Sequence, residues 1–369
     1  MIRFSLALAA SILFSVSAHA IPQTFVSVSG SNANTCERAA PCRTFSGAIA
    51  KTDAGGEIVV LDAGEYGQVT INKSVRITAV GIYAGITAPA NNAITINVAW
   101  DDVVAIRGLT LTGKGGAHGI AMPAGGTLHV ESCTISGFTN FTGRGINFAA
   151  AGRLYVKDTV VRNCASYGIF VGPTSGSSQA SIENCSTEKN GYGISVQANS
   201  NSTVSVAVKD SVVAGGTYGF HAVGAGAHLS VFGSQASHQS AAGFFADRGG
   251  RISAENSIAS GSGYGFAAIR GGVVSIHNCT AAGNFSGVTA RHSSSVVSVE
   301  GCQLVNNTST GLFVSDGAAA MISGSIVTGS DRGLWNDTNK PGTLKTFGNN
   351  SVHGNTTETV GVITPVSQM

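Results

Sequence analysis

The sequence predicts an all-β chain that winds into a right-handed, single-stranded parallel β-helix, a solenoid with a short capping helix near its N-terminus. Three observations predict this fold: a motif that recurs every 22 to 26 residues, abundant glycine, and alternation of apolar with polar residues. One column of the repeat holds mostly small residues: Leu109, Cys133, Thr159, Cys185, Ser211, Ser234, Ser257, Cys279, Cys302 and Ser325.

The residue types within each repeat indicate strands rather than helices. Glycine makes up 50 of the 369 residues, which disfavours helical repeats. Pairs such as Leu128 and Val130, or Val206 and Val208, alternate with polar residues as half-buried strands do. We therefore expect about three short strands per turn, each paired with its equivalent roughly 4.8 Å along the axis. The right hand follows from the preference of parallel crossovers.

Two further columns predict the bends and the core. Asn, Asp and Gly tolerate a left-handed backbone, so the column in which they dominate is expected to be a tight bend. Its members are Ser132, Asp158, Asn184, Asp210, Gly233, Asn256, Asn278, Gly301 and Gly324. The expected inward column is Ile169, Ile194, Phe220, Phe244, Phe266, Val288, Leu312 and Leu334, and a glycine precedes each member.

Residues 1–20 have the pattern of a cleavable secretory signal peptide. Arg3 is followed by an apolar run and by Ala18-His19-Ala20. That run is too short to cross a bilayer, and no later stretch is apolar enough to do so. We therefore expect a secreted or periplasmic protein.

The remaining chain divides into three parts. Residues 21–55 hold a first strand and the capping helix, expected within Pro41–Thr52. Residues 56–335 form about 11–12 turns of coil, and residues 336–369 a last partial turn and a tail. The first turn contains strands at Glu57–Leu61, Gln68–Ile71 and Val75–Thr78.

These alternating strands and the preceding helix resemble the right-handed parallel β-helix proteins of the pectin-lyase-like superfamily. The resemblance covers roughly residues 24–355. It implies the fold but not one function, because this scaffold hosts lyases, hydrolases, epimerases and adhesins. The helix resembles the N-terminal cap of the superfamily, which would cover the first strand edges.

The balance of charge excludes one class of partner. The chain has 21 basic and 19 acidic residues, so it lacks the basic excess of proteins that bind nucleic acid. No spacing among the nine histidines predicts a metal site, and no cofactor is expected.

The seven cysteines fall into two groups. Cys36 and Cys42 flank a short loop and are expected to form a disulfide in an oxidising compartment. Cys133, Cys185, Cys279 and Cys302 share the small column, so we expect buried free thiols, although Cys279 and Cys302 lie close enough to bond. Cys164 has no evident partner. The redox state of these five stays open.

Catalytic candidates are few. Asp101 and Asp102 are the only adjacent acidic pair, and His118 lies within Gly116–Gly119. The Gly-His-Gly and Arg-Ile-Lys motifs of polygalacturonases are absent, as are the arginine motif of pectate lyases and the Asp-Pro-His motif of epimerases. We therefore interpret these three residues as a polar turn, with a catalytic group as the alternative.

Aromatic residues form the most informative surface feature. Two columns on one flank could stack on the sugar rings of a glycan, or could only stabilise neighbouring turns. The candidate ligand-binding residues are Tyr167, Tyr192, Tyr218, Tyr264, Phe170, His221, Phe245, Phe313 and Trp335.

Taken together, these patterns favour an exported, non-catalytic surface, envelope or extracellular protein, either structural or binding a polysaccharide or cell-surface glycan. The alternative is a polysaccharide lyase or glycoside hydrolase acting on an acidic polysaccharide. A third hypothesis is an accessory protein of metal-cofactor maturation. The oligomeric state, and the choice between periplasm and exterior, stay open.

Overall fold

The computed structural model describes residues 22–366, in which the chain coils through about 12 turns as a parallel β-solenoid. The predicted signal peptide at residues 1–20 lies outside the described residues. Each turn contributes one strand to each of three parallel sheets, which we call sheets 1, 2 and 3 in the order in which the chain visits them. This confirms the predicted fold class.

Sheet 1 has fifteen strands within the described range. They are Gln23–Val26, Gly56–Val60, Val75–Thr78, Val103–Arg107, Thr127–Glu131, Gly152–Lys157, Gly176–Glu183, Ser202–Lys209, Ala227–Phe232, Arg251–Glu255, Val273–His277, Val296–Glu300, Ala319–Ser323, Thr343–Thr346 and Ile363–Pro365.

Sheets 2 and 3 have thirteen strands each among residues 22–366. Sheet 2 consists of Gly64–Glu65, Ala84–Ala88, Leu109–Gly113, Thr134–Ser136, Val160–Arg162, Ser186–Glu188, Val212–Ala214, Gln235–Ser237, Ile258–Ser260, Thr280–Ala282, Gln303–Val305, Ile326–Thr328 and Ser351–Val352. Sheet 3 consists of Val69–Ile71, Ile94–Asn97, His118–Ala124, Arg144–Phe148, Tyr167–Val171, Tyr192–Gln197, Tyr218–Val223, Ala242–Asp247, Tyr264–Ile269, Ser286–Arg291, Thr310–Ser315, Arg332–Asn336 and Thr357–Val360.

The coil reaches farther than residue 335, where the sequence repeat fades. Strands from Thr343 to Pro365 continue all three sheets in register with the turns before them. Polar residues occupy positions in these strands that earlier turns fill with aliphatic ones, as at Thr359, which pairs with Leu334. Hydrophobic periodicity therefore understates the length of the solenoid.

A helix and a disulfide loop lie against the first strand. The helix, Phe45–Ile49, is shorter than predicted because Thr44 caps its N-terminus, with Oγ1 accepting a hydrogen bond from the Gly47 N–H at 3.0 Å. The predicted disulfide between Cys36 and Cys42 is present, with Cα atoms 4.7 Å apart. Its loop hydrogen-bonds both sides of Phe25 and so covers the free edge of sheet 1.

The predicted columns are confirmed in the bend between sheets 1 and 2. All nine residues of the expected bend have φ between 48° and 60°. The small residues that follow are buried and linked from turn to turn. Ser211 is typical, because its hydroxyl donates to the Lys209 carbonyl at 2.8 Å and accepts from the Cys185 N–H at 3.1 Å.

A second polar ladder, which the sequence analysis missed, lines the bend between sheets 2 and 3. Asn284 is fully buried; its amide donates to the Ala259 carbonyl at 3.0 Å and accepts from the Ser262 N–H at 3.0 Å. Asn307 repeats this pattern one turn later. Cys164 belongs to the same ladder, where its N–H donates to Asn190.

The core fills the space between the three sheets. The predicted inward column from Ile169 to Leu334 is at most 2% exposed. The glycines before these residues allow close approach of the backbone. A Cβ at Gly168 would lie 2.7 Å from the Gly193 carbonyl oxygen and 2.8 Å from Nδ2 of Asn190. Over residues 22–366, no helix has the length and apolarity needed to cross a membrane.

We predict that Asn307→Ala lowers the free energy of unfolding by about 2–4 kcal/mol, because it leaves the Ala281 carbonyl and the Asn284 N–H buried without partners. Asn306→Gly is the matched control: Asn306 is exposed at φ 53° and glycine accepts that conformation. Equilibrium urea unfolding measures both. Equal losses in the two variants would contradict the ladder's role.

Candidate functional site

The tyrosines predicted to share a column do so on the outer face of sheet 3. Tyr167, Tyr192 and Tyr218 pair on consecutive turns, and Ala242 separates Tyr218 from Tyr264. The ring centroids of Tyr167 and Tyr192 are 4.7 Å apart, and those of Tyr192 and Tyr218 are 5.2 Å apart. Adjacent rings thus cover one another's faces, and the column presents mainly ring edges and hydroxyls to solvent.

The second predicted column also points away from the core. It was expected to be open to a ligand, but neighbouring side chains cover much of it. Phe170, His221 and Phe245 are only 5–7% exposed, because tyrosine rings pack against them. The rings of Phe313 and Trp335 pack against each other at a tilt of 48°, with centroids 4.5 Å apart, and both side chains are half-buried. The alternation in the sequence predicts the face on which these side chains lie, but it does not predict that neighbouring rings bury them.

His221 lies in a buried polar network between turns. Its Nδ1 is 3.3 Å from Oγ of Ser195, which is fully buried. On the next turn, Asp247 accepts two hydrogen bonds from Arg270, at 2.8 and 2.6 Å. Ser195 and His221 are within hydrogen-bond distance, but the serine is closed to solvent, and the nearby carboxylate of Asp247 bonds Arg270 instead of the histidine. The network therefore stabilises the flank rather than forming a nucleophilic site.

The three catalytic candidates do not come together. Asp102 caps a turn: it accepts hydrogen bonds from the Ser74 hydroxyl and from the Ala99 N–H, and these bonds lower its pKa. Asp101 is exposed beside it. His118 lies at the opposite end of the strand Ile94–Asn97, in the column that continues into the tyrosines.

A groove runs along the outer face of sheet 1, and the sequence analysis did not single it out. Its widest part has a volume of about 590 Å³ and contains the exposed side chains of Trp100, Asp101 and Arg153, with Gln179 beside them. Trp100 is 79% exposed. Two further hollows, of about 470 and 230 Å³, adjoin it on successive strands. We call this surface the sheet 1 groove; it crosses six strands and so spans about 24 Å along the axis.

The sheet 1 groove also holds groups that can exchange protons. His129 and Tyr155 pair on adjacent strands and their rings stack at 4.7 Å. Burial lowers the pKa of His129, which keeps its imidazole neutral at neutral pH. Ion pairs lie on both sides, Arg107 with Glu131 at 3.6 Å and Lys157 with Glu183 at 3.8 Å.

The remaining cysteines are internal. The thiols of Cys133, Cys185, Cys279 and Cys302 are free and buried, as expected, and Cys164 is also free and buried. Burial raises the pKa of Cys133 and of Cys185 to about 11, so these thiols remain protonated and unreactive. In the part of the chain that the structure describes, no three His, Cys, Asp or Glu side chains are grouped to hold a metal ion.

Comparison with known proteins identifies the architecture. The model of the family described as "Right handed beta helix region" matches residues 69–236 and 202–357, which is most of the chain. None of the curated proteins matches the chain.

Several solved structures are similar in outline. The A-module of the mannuronan C-5 epimerase AlgE6 from Azotobacter vinelandii is 13% identical with a TM-score of 0.39, covering 85% of this chain and 91% of that one. The pectate lyase Pel9A is 15% identical (TM-score 0.35; 94% and 78% covered). The GH136 lacto-N-biosidase from Eubacterium ramulus is 9% identical (TM-score 0.39; 93% and 68% covered). At these values the likenesses add nothing to an assignment of function.

Protonation of His221 should destabilise the fold in mild acid. Burial lowers its pKa from 6.5 to about 4, so the unfolded chain takes up a proton before the folded chain does. Stability contributed by neutral His221 is present above pH 6.5 and is lost as pH falls towards 4, by about 3 kcal/mol in total.

His221→Phe retains an aromatic ring and should remove this part of the pH dependence, whereas His228→Gln, at an exposed position, should not. Urea unfolding between pH 7 and 4 gives the comparison. The assignment fails if the wild-type and His221→Phe proteins lose stability in parallel.

Proposed function

We propose that this chain, which belongs to the right-handed β-helix family, is an exported, non-catalytic protein that binds a polysaccharide in the sheet 1 groove. Because that scaffold serves many functions, the proposal is argued from the surface of this chain. The observation that most strongly supports this proposal is the exposed indole of Trp100, which lies beside Arg153 and Gln179 in a hollow of about 590 Å³. Export is supported by the signal pattern of residues 1–20 and by the disulfide.

The composition of the groove suits a sugar polymer. An open indole face can stack on the apolar face of a sugar ring, while planar guanidinium and amide groups hydrogen-bond its hydroxyls. The groove follows the axis across six strands of sheet 1, so an extended chain of sugars fits its direction better than a compact ligand does. Its volume lies in the range typical of ligand sites.

The tyrosine column is the alternative binding surface. Its hydroxyls could contact a glycan, but stacking on sugars needs free ring faces, and here neighbouring rings occupy them. We therefore propose the sheet 1 groove as the main site, and we test the tyrosine column as the alternative in the same assay.

We predict that Trp100→Ala weakens retention on an immobilised polysaccharide about tenfold or more, because loss of an aromatic anchor typically costs on the order of 2 kcal/mol. Phe141→Ala is the matched control. Phe141 is 93% exposed and lies in the loop before the sheet 3 strand Arg144–Phe148, whereas Trp100 lies in a loop that follows a sheet 3 strand. Affinity electrophoresis against a panel of neutral and acidic polysaccharides provides the measurement.

A double variant, Tyr192→Ala with Tyr218→Ala, tests the tyrosine column in the same assay. Retention lost in this variant but kept in Trp100→Ala would move the site to sheet 3. Failure of the wild-type protein to bind any member of the panel would refute the proposed function.

A second function, lysis of an acidic polysaccharide, is favoured by His129 and Tyr155. A lyase needs a base, an acid and a cation that neutralises the sugar carboxylate. Neutral His129 can accept a proton and Tyr155 can donate one. Arg76 lines the hollow that holds His129, and Tyr155 lines the adjoining hollow. Asp102 has no such role, because its carboxylate holds a turn.

If the protein is a lyase, it should release unsaturated products from a polyuronate, detected by ultraviolet absorbance, and His129→Gln should reduce the rate at least about 100-fold. His277→Gln is the control, since His277 is an exposed histidine outside the groove, on the same sheet. No product from the wild-type protein on several polyuronates would leave only the non-catalytic function.

A further inference from the structure

One edge of the sheet 1 groove carries a row of side chains whose charge alternates from strand to strand. Arg107, Glu131, Lys157 and Glu183 are the last residues of four consecutive strands of sheet 1 and are paired in register. Neighbouring strands are about 4.8 Å apart, so the sign of the charge reverses at that interval. Each of these side chains is 42–53% exposed and can be reached by a ligand. We call the four residues the charged row.

The rest of the groove lining adds no net charge. Its charged side chains are Glu57 and Asp101 against Arg76 and Arg153, two of each sign. Together with two of each sign in the charged row, this makes four cations and four carboxylates, a formal charge of zero. Both cations of the charged row also lie close to a carboxylate of the next strand, at 3.6 and 3.8 Å. The groove therefore lacks the excess of one charge that attracts a polymer of the opposite charge.

The alternation of charge discriminates between acidic and neutral polymers. A polysaccharide lying along the axis brings successive sugars past successive strands, because the repeat of an extended sugar chain is close to the strand spacing. A polyuronate would then place every second carboxylate opposite Glu131 or Glu183, and like charges brought together in an interface oppose binding. A neutral sugar meets no such repulsion, since its hydroxyls can donate to a carboxylate and accept from a cation.

We propose that the sheet 1 groove selects a neutral, extended polysaccharide and that the charged row sets this selectivity. The six strands accommodate about five or six sugars. Trp100 stacks on one ring, and hydroxyls of the other sugars hydrogen-bond to the charged row. This selectivity rests on the polysaccharide-binding function proposed for the groove, and it adds the class of polymer.

Calorimetric titration with hexasaccharides tests the selectivity. Cellohexaose, xylohexaose and mannohexaose are the neutral probes, and hexagalacturonate is the acidic probe. We expect the wild-type protein to bind at least one neutral probe, and to bind hexagalacturonate at least about tenfold more weakly than that probe. Affinity for the neutral probe should change little between low and high ionic strength, because its binding neutralises no net charge.

Glu131→Lys combined with Glu183→Lys makes the charged row uniformly cationic. Hexagalacturonate affinity should rise at least about tenfold at low ionic strength and decline as salt is added, whereas affinity for the neutral probe should fall. Glu255→Lys combined with Glu300→Lys is the matched control, because it changes the net charge by the same amount. These exposed glutamates lie farther along the same column of sheet 1, outside the groove, so both affinities should stay unchanged.

The outcomes separate the class of polymer from the site itself. Preferential binding of hexagalacturonate by the wild-type protein, weakened by Trp100→Ala, would keep the groove as the site but overturn its selectivity for neutral polymers. Equal gains in hexagalacturonate affinity in the two lysine variants would overturn the role of the charged row. Absence of binding to every probe would refute the function of the groove and its selectivity together. The wild-type comparison decides the class of polymer even if the first lysine variant does not fold.

Discussion

The constraint on which the molecule depends is that every turn must stack on the next with its bends fully hydrogen-bonded. Backbone pairing between strands repeats at about 4.8 Å, so a bend that breaks the pairing must satisfy its own groups at the same spacing. Side chains do this twice per turn. The hydroxyl of Ser211 links carbonyl and amide groups at one bend, and the amide of Asn284 does so at the other. These two ladders therefore keep the side chains on the outer faces of the sheets at a regular spacing from turn to turn.

The fold was predictable because its determinants repeat. The small column that contains Ser211, and the glycine before each inward residue, each recur in aligned positions, and both proved structural. The second ladder was missed because its members differ in type: Cys164, Asn190 and Ser262 do not form a visible column, although they occupy equivalent bends. Asn190 and Ser262 each accept a backbone N–H from the turn before, whereas the thiol of Cys164 donates to the Arg162 carbonyl.

The functional surfaces were less predictable, because they depend on side-chain cover and on contacts between distant turns. The tyrosine column was recognised, but the burial of Phe170 beneath Tyr167 depends on ring tilt, which alternation does not encode. The sheet 1 groove joins Trp100 and Arg153, two turns apart, through the connections between sheets 3 and 1. Early repeats are 24 to 26 residues long and later ones 22 or 23, so longer connections occur in the same part of the rod as the groove.

The strictly neighbour-to-neighbour pairing of the three sheets has a mechanical consequence. No strand in residues 22–366 hydrogen-bonds beyond the turns directly before and after it. Tension applied along the rod would therefore detach outer turns one by one instead of breaking a single cooperative unit. Each detached turn would release roughly 80 Å of slack chain, given its 22 to 26 residues. A protein built in this way yields gradually under load and can rewind from whatever portion stays coiled.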